Sequence, residues 1–267
     1  MTLRGVRQTE QSRQYPLHRS VFESYAASSG FDEYLHQPRA SGSSLGELMT
    51  RLSAIGLEQL NQDHRGAEQL LKRLGATFRL YNNDSQASER ILPFDPLPRL
   101  IDQQDWQRLD QGLKQRLEAI DCFLADIYGK RQILSDGVIP LEAIESSLGW
   151  RPQMQGLEPP QQRWCHISGL DLIRDGEGTW RVLEDNLRCP SGVAYFLENR
   201  RVMKQLFGDL FERQRVAPID DYPSQLLRML KGLAPWSPEP NVVILTPGVH
   251  NSAYFEHSYL AQQMGIA

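Results

Sequence analysis

Apolar and polar residues follow two different periods along this chain, and each change of period marks an element. From Ser43-Ser44-Leu45 the spacing of Leu48, Leu52, Ile55 and Leu60 is helical. A second helix is expected over residues 64–74, with Gly75 as its C-cap. Residues 76–81 read as a strand, and Asn82-Asn83-Asp84 as its turn. Three prolines between Glu89 and Arg99 exclude a helix or a central strand and predict a rigid, extended connector. Glu89-Arg90 and Asp95-Arg99 are read as ion pairs bracing it. Residues 105 to about 128 carry an apolar stripe of Leu109, Leu113, Leu117, Ile120, Phe123, Leu124 and Ile127. Gly129 ends that helix, and Cys122 is placed on its core side.

After a Pro- and Gln-rich loop at 151–163, the period drops to two. Two alternating runs flank Asp175-Gly176-Glu177-Gly178, a hairpin signal. A turn at 187–192 leads into a long helix from Val193 to about Arg213. A loop at 216–223, a helix over 224–233 and a linker at 234–240 follow. The apolar run 241–246 is expected to be a buried parallel strand. Pro247-Gly248 then turns the chain towards a helix starting near Ser252 or Ala253.

The hairpin also carries the candidate chemistry. If Arg174 pairs with Thr179, Asp171 faces Val182 and Glu184 is its diagonal neighbour. Side chains two apart share a face, so Asn186 joins them. Two carboxylates and a carboxamide within about 7–8 Å are hard oxygen ligands that suit Mg²⁺ with bound phosphates. A three-residue turn would flip Asp171 to the other face. Asn186 also fits a turn cap, and Ser191 a helix N-cap.

Composition excludes other classes. The chain has 267 residues, 40% hydrophobic, with a net charge of -4, which supplies a core and no basic footprint for nucleic acid. No apolar run approaches the roughly 20 residues of a membrane span, and residues 1–19 lack the apolar core of a secretory signal. Three cysteines without metal spacing suit a reducing cytoplasm. His166 and His257 are read as packed or surface residues, and Cys189 as no nucleophile, because neither His nor Cys has a partner at working spacing.

Several motifs together carry a family resemblance: Pro93-Phe94-Asp95 with Pro98-Arg99, Asp121 to Gly129, Leu183-Glu184-Asp185-Asn186-Leu187-Arg188 with Pro190-Ser191-Gly192, and Leu245-Thr246-Pro247-Gly248 with Asn251 to His257. From roughly residue 31 onwards the chain resembles the circularly permuted ATP-grasp proteins of type 2. More distantly it is similar to eukaryotic-type glutathione synthetases and glutathionylspermidine synthetase. The resemblance implies an α/β fold with α+β elements: residues 1–42 as a mobile or docking segment around Phe31-Asp32-Glu33-Tyr34, residues 43–235 as the N-terminal part of a permuted ATP-grasp domain, and residues 236–267 as the start of a Rossmann-like substrate domain. On this reading the chain is truncated inside a domain, with ATP-clamping lysines expected beyond Ala267.

The resemblance further implies an ATP- and Mg²⁺-dependent carboxylate–amine ligase, working through an acyl phosphate on a peptide or amino-acid derivative. Asp171, Glu184 and Asn186 become the metal ligands, and Arg188 a contact to the transferred phosphoryl group or the acyl substrate. Ser191, Gly192, Asn251, Tyr254 and Glu256 become substrate contacts. The open N–H groups expected at the start of the helix after Gly192 favour an anion there. Two rivals stand beside this expectation: a binding protein of ATP-grasp type without turnover, and a phosphotransferase that performs no ligation.

Overall fold

A computed structural model describes Phe22, Tyr25, Ala26, residues 30–36, 43–81 and 87–267. The expected turn at Asn82-Asn83-Asp84 and most of the N-terminal segment lie outside the described residues. The helices are α1 Glu33–His36, α2 Ser44–Ile55, α3 Leu57–Arg73, α4 Gln103–Tyr128, α5 Gln132–Ser135, α6 Leu141–Glu145, α7 Val193–Leu206, α8 Gly208–Arg213, α9 Tyr222–Gly232 and α10 Tyr254–Met264. Beside them stand two antiparallel strand pairs, β1 Thr77–Tyr81 with β2 Ala87–Ile91 and β3 Gly169–Arg174 with β4 Trp180–Asn186, and two 3-10 turns, Pro152–Met154 and Pro160–Gln162. Among the described residues no helix is long and apolar enough to cross a membrane.

Local chemistry sets the helix ends. Ser43 caps α2 by accepting from Gly46 N at 3.1 Å, and Asp102 caps α4 by accepting from Asp105 N at 2.8 Å. Past α3, Ala76 N donates to Leu71 O and Gly75 N to Lys72 O, closing the paired bonds that a left-handed Gly75 allows. α3 starts earlier than its periodicity predicts, because Gly56 alone separates it from α2. The expected helix after Val193 is broken at Phe207 into α7 and α8.

The proline connector is shorter than expected, since Glu89 to Ile91 pair with β1. Arg99 pairs with Glu33 at 3.2 Å rather than with Asp95, whose Oδ1 accepts from Leu97 N at 2.9 Å. The run 241–246 forms no strand: Val243 is 51% and Leu245 88% exposed. Its single cross-segment backbone bond among the described residues, Ile244 N to Ala267 O at 2.9 Å, provides no ladder to bury it.

Two apolar clusters build the core. One joins Tyr34, Leu45, Leu48, Leu52, Leu60, Phe207 and Leu210. The other joins Ala67, Leu71, Ala76, Phe94 and Val202. Met203 and Leu206 pack against both, so α7 runs between them as a shared beam. Its N-terminus, at Gly192, is where the second hairpin's exit turn arrives.

Candidate metal and nucleotide site on the second hairpin

The register of β3 and β4 differs from the expected one, and the difference makes the site. Arg174 pairs with Trp180, not Thr179. The longer loop is held by Asp175, whose Oδ1 accepts from Glu177 N at 3.1 Å and Thr179 N at 2.9 Å. Such a one-residue slip would leave Asp171 facing Leu183 and send Glu184 to the opposite side of the ladder. A bulge next to the Asp171/Leu172 positions absorbs one residue of β4, and beyond it Asp171 pairs directly with Glu184. Directly opposed positions hold Cβ atoms about 4.5–5.5 Å apart, closer than the diagonal arrangement first expected. Asn186 Nδ2 donates to Glu184 Oε1 at 3.1 Å, and all three side chains are exposed on one face.

Asp185, between Glu184 and Asn186, points the other way. Arg116 of α4 grips it in a two-pronged fork, Nε to Oδ1 at 2.7 Å and Nη2 to Oδ2 at 2.6 Å. That guanidinium holds the Asp185 carboxyl below its ordinary value. The covered face is anchored again at its other end. Arg174, only 8% exposed, lies over the rings of Phe31 and Trp180 at 5.0 and 4.5 Å and pairs with Asp105. Trp180 Nε1 donates to the same Asp105 oxygen at 3.1 Å. The hairpin therefore rests on α4 through two arginine–aspartate pairs of opposite polarity, with a cleft of about 730 Å³ between them lined by Leu109, Gly112, Leu172 and Val182.

A buried carboxylate on α4, Asp121, fixes the approach to β3. Burial works to raise its pKa, but Arg163 at 2.9 Å and the N–H groups of Trp164 and Cys165 prevail and hold it below the usual range. Cys122, expected in the core, is exposed instead, because the strap 163–165 draws the neighbouring Asp121 inwards.

The exit turn brings together some of the expected substrate residues. Gly192 N donates to Glu256 Oε2 at 2.6 Å, and the Ser191 hydroxyl donates to the same oxygen at 3.3 Å. The N–H at the start of α7 is thus already taken. Asn251 folds on its own loop, its Oδ1 accepting from Ala253 N at 2.9 Å, and Tyr254 is half-buried at the start of α10. His257 Nδ1 lies 2.9 Å from Thr246 Oγ1, while His166 and Cys189 are exposed. Arg188 is exposed and joins no ion pair among the described residues.

Sequence reasoning missed the inward roles of Asp185, Asp121 and Arg174; the strict alternation of Glu184-Asp185-Asn186 was the signal for the first. Among the described residues no three His, Cys, Asp and Glu side chains gather as a metal cluster. The open-face set has two carboxylates, and its third donor is a carboxamide.

Residues 98–267 match the family described as circularly permuted ATP-grasp type 2. The chain belongs to that family. An uncharacterized protein of Synechocystis sp. is 51% identical over 248 residues, covering 91% of this chain and 51% of its own length. One of Mycobacterium tuberculosis is 47% identical over 221 residues, covering 82% of this chain and 37% of its own. A Frankia alni protein named "Putative glutamate--cysteine ligase 2-3" is 36% identical over 241 residues, covering 89% and 27%. This chain thus spans about half the length of the Synechocystis relative and less of the others. The ATP-grasp family and the relatives named as ligases support a ligase-type function at the level of the family.

Proposed function

We propose that the whole protein of which this chain forms part is an ATP- and Mg²⁺-dependent carboxylate–amine ligase acting on a peptide or amino-acid derivative. The observation that carries the reading is the direct pairing of Asp171 with Glu184, with Asn186 bonded to Glu184 on the same open face. Hard oxygens on an exposed surface fit Mg²⁺, which takes few protein ligands and keeps its other positions for water or phosphate. Asp171, Glu184 and Asn186 would hold it, and the ion would neutralise phosphate oxygens during transfer.

The reaction this predicts is balanced in two displacements. A substrate carboxylate oxygen attacks the γ-phosphorus of ATP, and ADP leaves. An amine then attacks the acyl carbon, phosphate leaves, and the amine loses a proton. Arg188, exposed two residues beyond Asn186, would offer a guanidinium to the transferring group on this reading. Ser191, Asn251 and Tyr254 are the substrate-side residues of this reading.

Thermal unfolding of the whole protein with ATP, with and without Mg²⁺, tests it. Ligand at about 100 times its Kd stabilises a fold by roughly 2.7 kcal/mol, which shows as a clear rise in midpoint. The expected result is a rise that needs Mg²⁺ and is absent in Glu184→Ala. An equal rise without Mg²⁺, or none, overturns the reading. ADP release that never depends on an added amine would assign phosphoryl transfer without ligation.

A further inference from the structure

Glu256 lies 64 residues beyond Gly192, in the first turn of α10, and is 5% exposed. One of its carboxylate oxygens takes both the Gly192 N–H, at 2.6 Å, and the Ser191 hydroxyl, at 3.3 Å. A buried carboxylate is stable there because the start of α7 presents unpaired N–H groups and the positive end of the helix dipole.

The same turn is gripped at two other points. Cys165 Sγ donates to Leu187 O at 3.2 Å. Pro190 lies so close over Gly169 that a Cβ there would come within 2.7 Å of it. Gly169 in turn pairs with Asn186. Arg188 and Ser191 therefore sit on a turn tied at its start, middle and end, and only the last tie comes from the element that follows the Asn251 loop.

We propose that Glu256 is a positioning residue that seats the 187–192 turn and thereby fixes Arg188 and Ser191 relative to the Asp171–Glu184 pair, without touching substrate. The proposal rests on the ligase reading for its activity test alone. At 5% exposure the Glu256 carboxylate offers little surface to a substrate, whereas removing it frees the turn from its far anchor.

Two measurements on the whole protein test this. Hydrogen–deuterium exchange over residues 187–196 should rise several-fold in Glu256→Ala and stay near the parent in Glu256→Gln, whose amide oxygen still accepts from Gly192 N–H. In turnover, Glu256→Ala should lose on the order of 10²-fold in kcat, as misplaced groups do, with KM for the amine little changed, and Glu256→Gln should rescue most of the loss. Unchanged exchange in Glu256→Ala overturns the proposal. So does an exchange rise with unaltered kcat, or a raised KM for the amine in both variants, which would make Glu256 a substrate contact. If the parent shows no Mg²⁺-dependent turnover, the ligase reading falls and the exchange result alone decides whether Glu256 seats the turn.

Discussion

Asp171 stands directly across the ladder from Glu184, and it does so because β4 carries one residue more than β3 between that pair and Leu172–Val182. The extra residue, Leu183, is exposed and opposes nothing on β3. A bulge of this kind re-aims every side chain beyond it.

Deleting Leu183 should close the bulge without moving the site. Val182 and Glu184 then become neighbours and oppose Leu172 and Asp171 in simple alternation, so Glu184, Asp185 and Asn186 keep their faces. Mg²⁺-dependent stabilisation by ATP should persist both in the deletion variant and in Leu183→Ala. Thermal shift on both variants checks it, and loss of the stabilisation in the deletion variant would refute the idea that the facing of Glu184 alone makes the site.

Much of this arrangement was legible in the chain, and the illegible part has a definite cause. Alternation in Glu184-Asp185-Asn186 fixes which residues share a face, whatever strand lies opposite. What alternation does not encode is loop length, which Asp175 sets by side-chain bonds to Glu177 and Thr179. The expected register and the observed one reach the same face only because the slip and the bulge cancel. Helix ends were readable where a cap is local, as at Ser43 and Gly75, whereas α4 starts two residues ahead of its expected Asp105. The break at Phe207 was not, since Phe207 is turned into the first core cluster by tertiary packing. Glu256 looked like a free substrate contact because no local pattern reveals a partner 64 residues away.

Asp121 should make stability sensitive to acid. Its folded carboxyl titrates below the unfolded value of about 3.9, so its contribution is complete above that pH and is lost as pH falls through the lower folded value. Urea midpoints of the parent and Asp121→Asn, compared from pH 6 to pH 2.5, should differ at the upper end and converge at the lower. Asp121→Ala should cost about 1–3 kcal/mol near neutrality, because the Trp164 and Cys165 N–H groups lose their acceptor.

Arg174→Ala should be among the more damaging changes on the hairpin. It leaves the partly buried Asp105 with the Trp180 indole as its remaining side-chain donor and removes the cation stacked on Phe31 and Trp180. Losing one partner of a fully buried pair costs about 3–5 kcal/mol, and the partial exposure of Asp105 puts the expected loss towards or below the lower end. Arg174→Lys should recover only part of this, since an ammonium lacks the planar group that stacks. Denaturant unfolding of the two variants provides the comparison.

Core packing yields a quantity independent of the site. Leu52 is fully buried, at 0% exposure, in the cluster that Phe207 and Leu210 close. Leu52→Ala should cost about 2–5 kcal/mol, read from the urea midpoint. Exchange at residues 187–196 should stay as in the parent at temperatures well below the melt.

The uncovered Val243 and Leu245 bear on how this chain behaves in the test tube. An apolar run whose backbone groups, the Ile244 N–H aside, join no ladder among the described residues is a template for sticking to other chains. Samples of these 267 residues should scatter light increasingly with concentration, and a charged replacement at Leu245 should keep them clear without altering the melting midpoint.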